Sequence, residues 1–93
     1  MAKKTRLRAN FSGAVQGVGF RFTVRKIANR YEVTGFVKNL PNGDVEVVTE
    51  GDREVVESFI NAIYNSSLSG YIRNVEKESS PATGEYSGFN IKF

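Results

Sequence analysis

Apolar and polar positions alternate from Thr5 to Ser12, with Thr5, Leu7, Ala9 and Phe11 on one side and Arg6, Arg8, Asn10 and Ser12 on the other. A period of two is that of a half-buried strand. Gly13 to Gly19 then carries three glycines in seven residues, a density that neither a strand nor a helix interior sustains, and reads as a loop. From Phe20 the period changes. Phe20, Val24, Ile27, Ala28 and Tyr31 fall at helical spacing, with Arg21, Arg25, Lys26, Asn29 and Arg30 between them, and predict an amphipathic helix. Val33 to Leu40 and Val45 to Glu50 read as an antiparallel strand pair around Pro41-Asn42-Gly43-Asp44, where proline presets one dihedral and Asn-Gly accepts the left-handed region. Asp52 stands where it can cap a second helix with the apolar stripe Val55, Val56, Phe59, Ile60 and Ile63, ended by Asn65-Ser66-Ser67 and Ser69-Gly70. Tyr71 to Ser79 is strand-like in content but alternates poorly, and Pro81 to Gly84 marks a loop. Phe89, Ile91 and Phe93 alternate in a short terminal strand.

The order strand, helix, strand, strand, helix, strand is economically buried as an antiparallel sheet with two helices on one face. The fold class predicted is α+β, a ferredoxin-like βαββαβ sandwich with a short extra C-terminal strand. The 93 residues are too few for two independent cores, so residues 1–93 are expected to form a single domain. This architecture hosts unrelated functions, and function has to be sought in the chemistry of particular residues.

Cysteine and histidine are absent and methionine occurs once. Disulfides, thiolate nucleophiles, imidazole bases and the usual zinc or haem ligand sets are thereby excluded. No run of 18 apolar residues exists, and no apolar stretch follows the charges of Met1-Ala2-Lys3-Lys4-Thr5-Arg6 as a signal peptide would require. A cytoplasmic protein with no membrane partner is expected. The net charge of +3 and pI near 9.4 reflect a local cluster, Lys3, Lys4, Arg6 and Arg8, against an acidic stretch from Asp44 to Glu57. So modest and local an excess argues against a nucleic-acid partner, although the basic end offers a way to draw in anionic substrates.

The chemistry concentrates in Gly13-Ala14-Val15-Gln16-Gly17-Val18-Gly19-Phe20-Arg21. This segment leaves a strand and enters a helix, so its backbone NH groups converge near a helix N-terminus, where an anion is favoured. Arg21 falls in the first turn, where the macrodipole disfavours a cation unless an anion occupies the loop. Phosphate fits best. The spacing matches neither a Walker A loop nor a dinucleotide fingerprint, and a glycine-rich turn that merely links strand to helix remains an alternative on spacing alone. Arg21 could equally pair with a carboxylate such as Glu32 or Glu50, and Asn39 could be a turn residue ahead of Leu40-Pro41.

Gly13, Val15, Gln16, Gly17, Val18, Phe20 and Arg21 resemble the acylphosphatase signature, and Gly35-Phe36-Val37-Lys38-Asn39 through Asn42-Gly43 resembles that family's second motif. Tyr86-Ser87-Gly88-Phe89-Asn90-Ile91 is similar to its closing strand, so the resemblance spans essentially the whole chain. It implies hydrolysis of the carboxyl-phosphate bond of small acylphosphates without a cofactor. It further implies that Val15, Gln16, Gly17, Val18, Gly19, Phe20 and Arg21 bind phosphate, that Arg21 holds the phosphoryl group, and that Asn39 orients the attacking water. Inorganic phosphate or sulfate is expected to inhibit, and a monomer is expected. Two positions depart from the family pattern. Ala14 stands where a basic or larger polar residue is common, and Tyr31-Glu32 replaces a usual Leu-Gly, which would put Glu32 at a helix C-terminus in a conformation glycine prefers.

The competing reading is a non-catalytic ferredoxin-like module that binds an anion or RNA. An RNA-recognition sheet would display stacked aromatics on its central strands in that family's motif order, which this sequence does not do. Hydrolysis of another labile phosphate, such as carbamoyl phosphate, is not separable from the main reading by sequence.

Overall fold

A computed structural model describes residues 4–93; Lys3 of the basic cluster, and with it the start Met1 to Lys3, lies outside the described residues. Strand β1 (Lys4–Gly13) is followed by helix α1 (Phe20–Ala28), strands β2 (Thr34–Asn39) and β3 (Val45–Asp52), helix α2 (Arg53–Tyr64), strand β4 (Ile72–Pro81) and strand β5 (Phe89–Lys92). The sheet order is β4-β1-β3-β2-β5. Leu7, Ala9, Phe11, Val37, Val45 and Val47 bury one sheet face under both helices, which contribute Val24, Ile27, Phe59, Ile60 and Ile63. The alternation of β1 and the helical stripes therefore bury the sides that their periods indicate.

Four strands pair antiparallel, but β5 runs parallel to β2, with Gly35 opposite Phe89 and Lys38 opposite Lys92. The short C-terminal strand thus joins the antiparallel sheet in parallel and makes it mixed at one edge. The chain leaves β4 at the opposite edge, crosses the end of the sheet between Pro81 and Phe89, and arrives in the direction of β2. Phe93 does not continue the strand; it is 96% exposed, beyond the core that holds Phe89 and Ile91.

Three local features depend on partners the sequence reading did not pair. Helix α1 stops at Ala28 rather than Tyr31, because Arg30 and Tyr31 donate to Ile27 and Ala28, a tighter last turn that still seats Tyr31 against Phe59 with ring centroids 5.8 Å apart. Glu32 lies beyond that turn, and among the described residues no non-glycine residue has positive φ, so the glycine-like conformation expected for Glu32 does not occur. Asp52 is the N-cap residue of α2 but makes no side-chain cap; it pairs instead with Lys4 at 3.3 Å. The poor alternation of β4 has a local cause. A register shift between Ser12 and Gly13 pairs Gly13 with Ile72 and Ser12 with Asn74, so Ile72 and Val75 both reach the core although three positions apart.

Candidate active site

The loop after β1 is fixed at both ends. Val15 is fully buried in the core, and Phe20 packs its ring on Phe11 at 5.4 Å. Between these anchors the backbone turns through Gly17 and Gly19, at φ 80° and 75°, a region costly for any residue with a Cβ. Gly19 is also the N-cap of α1 and supplies no side chain to it. The first intrahelical bond runs from Thr23 N to Gly19 O at 3.0 Å, so the amides of Phe20, Arg21 and Phe22 precede the helix ladder. No acidic residue lies in this first turn. The partial positive charge of the helix end is therefore left for an external anion.

A cavity of about 230 Å³ opens there, lined by Val15, Gly17, Gly19 and Phe20 from the loop and by Arg21, Phe22 and Asn39. Asn39 reaches it from the end of β2, on the helix-covered side that it shares with Val37 by the strand period of two. No side-chain hydrogen bond to another described residue is made by Asn39, so its carbonyl and its amide both face the cavity unpaired. Arg21 forms no ion pair among the described residues, neither with Glu32 nor with Glu50. Its Nη1 donates to the Lys92 carbonyl at 3.3 Å, and its guanidinium lies 4.8 Å from the centre of the Phe93 ring. One of five donors is spent, and the rest of the fork stays available.

Gln16 does not line the cavity. Its side-chain amide turns to the β2–β3 connection and donates to the carbonyls of Leu40 and Asp44. Val18 packs partly buried against the core rather than on the cavity wall. Ala14 is exposed beside Gly13 and Tyr71, outside this cavity. The contacts of Lys92 and Phe93 with Arg21 had no sequence signal, because they depend on the parallel register of β5. Phe22 did have one, an aromatic residue among the basic residues of the exposed side of α1.

A larger depression, about 520 Å³, lies between the helices beside Lys26, Arg30 and Ser67. It lacks converging backbone amides and lies near the C-terminal end of α1, where the dipole repels anions. Among the described residues, the basic side chains of the N-terminal cluster are each paired with a carboxylate. Lys4 pairs with Asp52, Arg6 with Glu50 and Glu85, and Arg8 with Glu46.

Glu50 organises the approach of β5. It is 5% exposed, and its carboxylate accepts from the amides of Thr83 and Gly84 and the Thr83 hydroxyl. Burial alone would raise its pKa, but these donors together with Arg6 outweigh it and hold the group below the ordinary carboxylate value. The segment so tied leads directly into the strand that carries Lys92.

The fold and cavity define a class: a ferredoxin-like α+β sandwich with an open cavity at the N-terminus of its first helix. The acylphosphatase family profile matches residues 7–91. The chain is 45% identical over 89 residues to the acylphosphatase of Arthrobacter sp. (strain FB24), covering 95% of this chain and 81% of that one. It is 45% identical over 82 residues to the acylphosphatase of Methanospirillum hungatei JF-1, covering 87% and 89% respectively. The crystal structure of acylphosphatase from Bacillus subtilis superposes with a TM-score of 0.87 at 31% identity, covering 96% of this chain and 99% of that chain. The chain belongs to the acylphosphatase family. Its activity is that of the family, hydrolysis of small acylphosphates at the carboxyl-phosphate bond.

Proposed function

We propose that residues 1–93 act as one catalytic domain in which Arg21 and the amides from Val15 to Arg21 hold the phosphoryl group while Asn39 orients the attacking water. The observation that carries this reading is the meeting of Arg21, Asn39 and the uncapped start of α1 on one cavity. Of the loop residues, Gly17 and Gly19 contribute backbone that can close on the ligand, whereas Val15, Val18 and Phe20 contribute amides from positions fixed by their buried side chains. Gln16 acts as a positioning residue through Leu40 and Asp44.

An acyl phosphate has a good leaving group, so positioning and charge neutralisation can supply most of the rate. The water oxygen attacks phosphorus, the bond from phosphorus to the acyl oxygen breaks, and its electron pair leaves on the carboxylate. The proton released by the water passes to a phosphoryl oxygen of the substrate itself, so that carboxylate and inorganic phosphate are the products. This route explains turnover by a chain without histidine or cysteine. Asn39 is neutral and accepts and donates at once, which suits holding a water rather than deprotonating it. The enzyme works as a monomer in the cytoplasm and needs no metal.

The test is phosphate release from a synthetic acyl phosphate by purified protein, with a protein-free control for spontaneous hydrolysis. Release well above that control, linear in protein concentration and insensitive to EDTA, is expected. A protein that binds phosphate but leaves the acyl phosphate intact would be the non-catalytic anion-binding module instead.

A further inference from the structure

Helix α1 buries Phe20, Val24, Ile27 and Ala28, yet it leaves Phe22 68% exposed. An aromatic ring held in water forfeits the free energy its burial would yield. Four large apolar side chains are exposed among the described residues, and two of them, Tyr64 and Tyr71, carry a hydroxyl for water to solvate. Phe22 and Phe93 carry none, and both stand at Arg21. Phe22 lines the same cavity as Arg21 and Asn39, and the Phe93 ring lies 4.8 Å from the Arg21 guanidinium.

A phenyl face is negative and offers an anion nothing, so these rings serve a different part of the substrate from the cradle. The substrate has two parts. Its phosphoryl group belongs in the cradle, and its acyl group must extend from the phosphorus toward the cavity mouth. We propose that Phe22 is the specificity-determining wall against which the acyl group packs, with Phe93 as a second apolar surface beside Arg21. The preferred substrates are then acyl phosphates with an aromatic or bulky apolar acyl group, over those of acetyl size. This rests on the cradle reading above and deepens it. Phe22 is exposed in the free protein because its partner arrives with the substrate.

The experiment compares kcat/KM for benzoyl phosphate and acetyl phosphate in the wild type, Phe22→Ala, Phe22→Tyr and Phe93→Ala, all checked for an unchanged thermal midpoint. The benzoyl-to-acetyl ratio should fall about tenfold in Phe22→Ala, mainly through KM for benzoyl phosphate, as expected for losing a hydrophobic wall. Phe22→Tyr, which keeps the ring, should retain the ratio, and Phe93→Ala should lower it less than Phe22→Ala. A Phe22→Ala ratio within about twofold of wild type overturns the proposal while leaving the cradle reading intact. A wild type that hydrolyses neither compound overturns both.

Discussion

The side-chain amide of Gln16 donates to the carbonyl oxygen of Leu40 at 2.8 Å. A second bond from the same nitrogen reaches the Asp44 carbonyl at 2.9 Å, and Leu40 N closes the turn on that carbonyl at 2.8 Å. The glycine loop is thereby tied to the residue next to Asn39. Gln16→Ala should cut turnover about tenfold or more by letting the two halves drift, while the affinity for phosphate stays close to wild type. Loss of two exposed bonds should cost about 1 kcal/mol of stability at most, which a denaturant titration of the same preparation will report. Equal losses of phosphate affinity and turnover would show that Gln16 binds the anion directly.

Arg21→Lys keeps the charge and removes the planar fork, so turnover should fall at least about a hundredfold, comparable to losing a donor aimed at the transition state. Folding should be unaffected, because the Arg21 side chain adds only a 3.3 Å bond to Lys92 and a stack on exposed Phe93. Near wild-type hydrolysis by this variant would remove Arg21 from the mechanism.

Asn39→Ala separates positioning from binding. Turnover should drop by more than about tenfold, or about 1.4 kcal/mol, while inhibition by phosphate is unchanged. If Asn39 serves only the turn that follows it, the variant will instead lose stability while its folded fraction stays fully active.

Inorganic phosphate or sulfate should inhibit competitively and raise the thermal midpoint by mass action. An anion at ten times its Kd contributes about 1.4 kcal/mol, which for a chain of this size corresponds to roughly 5 to 10 °C. Arg21→Ala should lose most of that shift. A shift of equal size in wild type and variant would place the anion elsewhere.

Glu50 has a folded pKa below its ordinary value, so its contribution to stability is fully present above the ordinary value and is lost as pH falls through the folded one. The wild-type midpoint should therefore decline as pH drops below about 4.5, through the lower carboxylate range. Glu50→Gln should be less stable near neutral pH, by about 2 kcal/mol, and its curve should decline less steeply in acid. Parallel melting curves for the two proteins would mean that the bonds to Thr83 and Gly84 do not report the charge of Glu50.

Much of the fold was legible because burial imposes a period. Leu7, Ala9 and Phe11 could face one side only, and Phe20, Val24 and Ile27 could share one stripe only in a helix. The turn between β1 and α1 was legible for a related reason: Gly17 and Gly19 adopt the positive φ that a glycine-rich loop invites. The limits of α1, the empty cap at Asp52 and the irregular β4 were not legible. Each was settled by a competing partner distant in sequence: Phe59 for Tyr31, Lys4 for Asp52, and the shifted register at Ser12 and Gly13 for Ile72.

The sequence by itself determined which faces had to be buried and where the chain turns on glycine between β1 and α1, since both depend on local backbone geometry and side-chain chemistry. Tertiary structure alone decided that Asn39 meets Arg21, that Gln16 spans to Leu40, that Lys4, Arg6 and Arg8 pair with Asp52, Glu50 and Glu46, and that β5 runs parallel to β2 and delivers Lys92 and Phe93 to Arg21. The physical reason is that strand register and crossover are set by the whole sheet. A side chain at the end of one strand finds its partner only after every strand between them has paired.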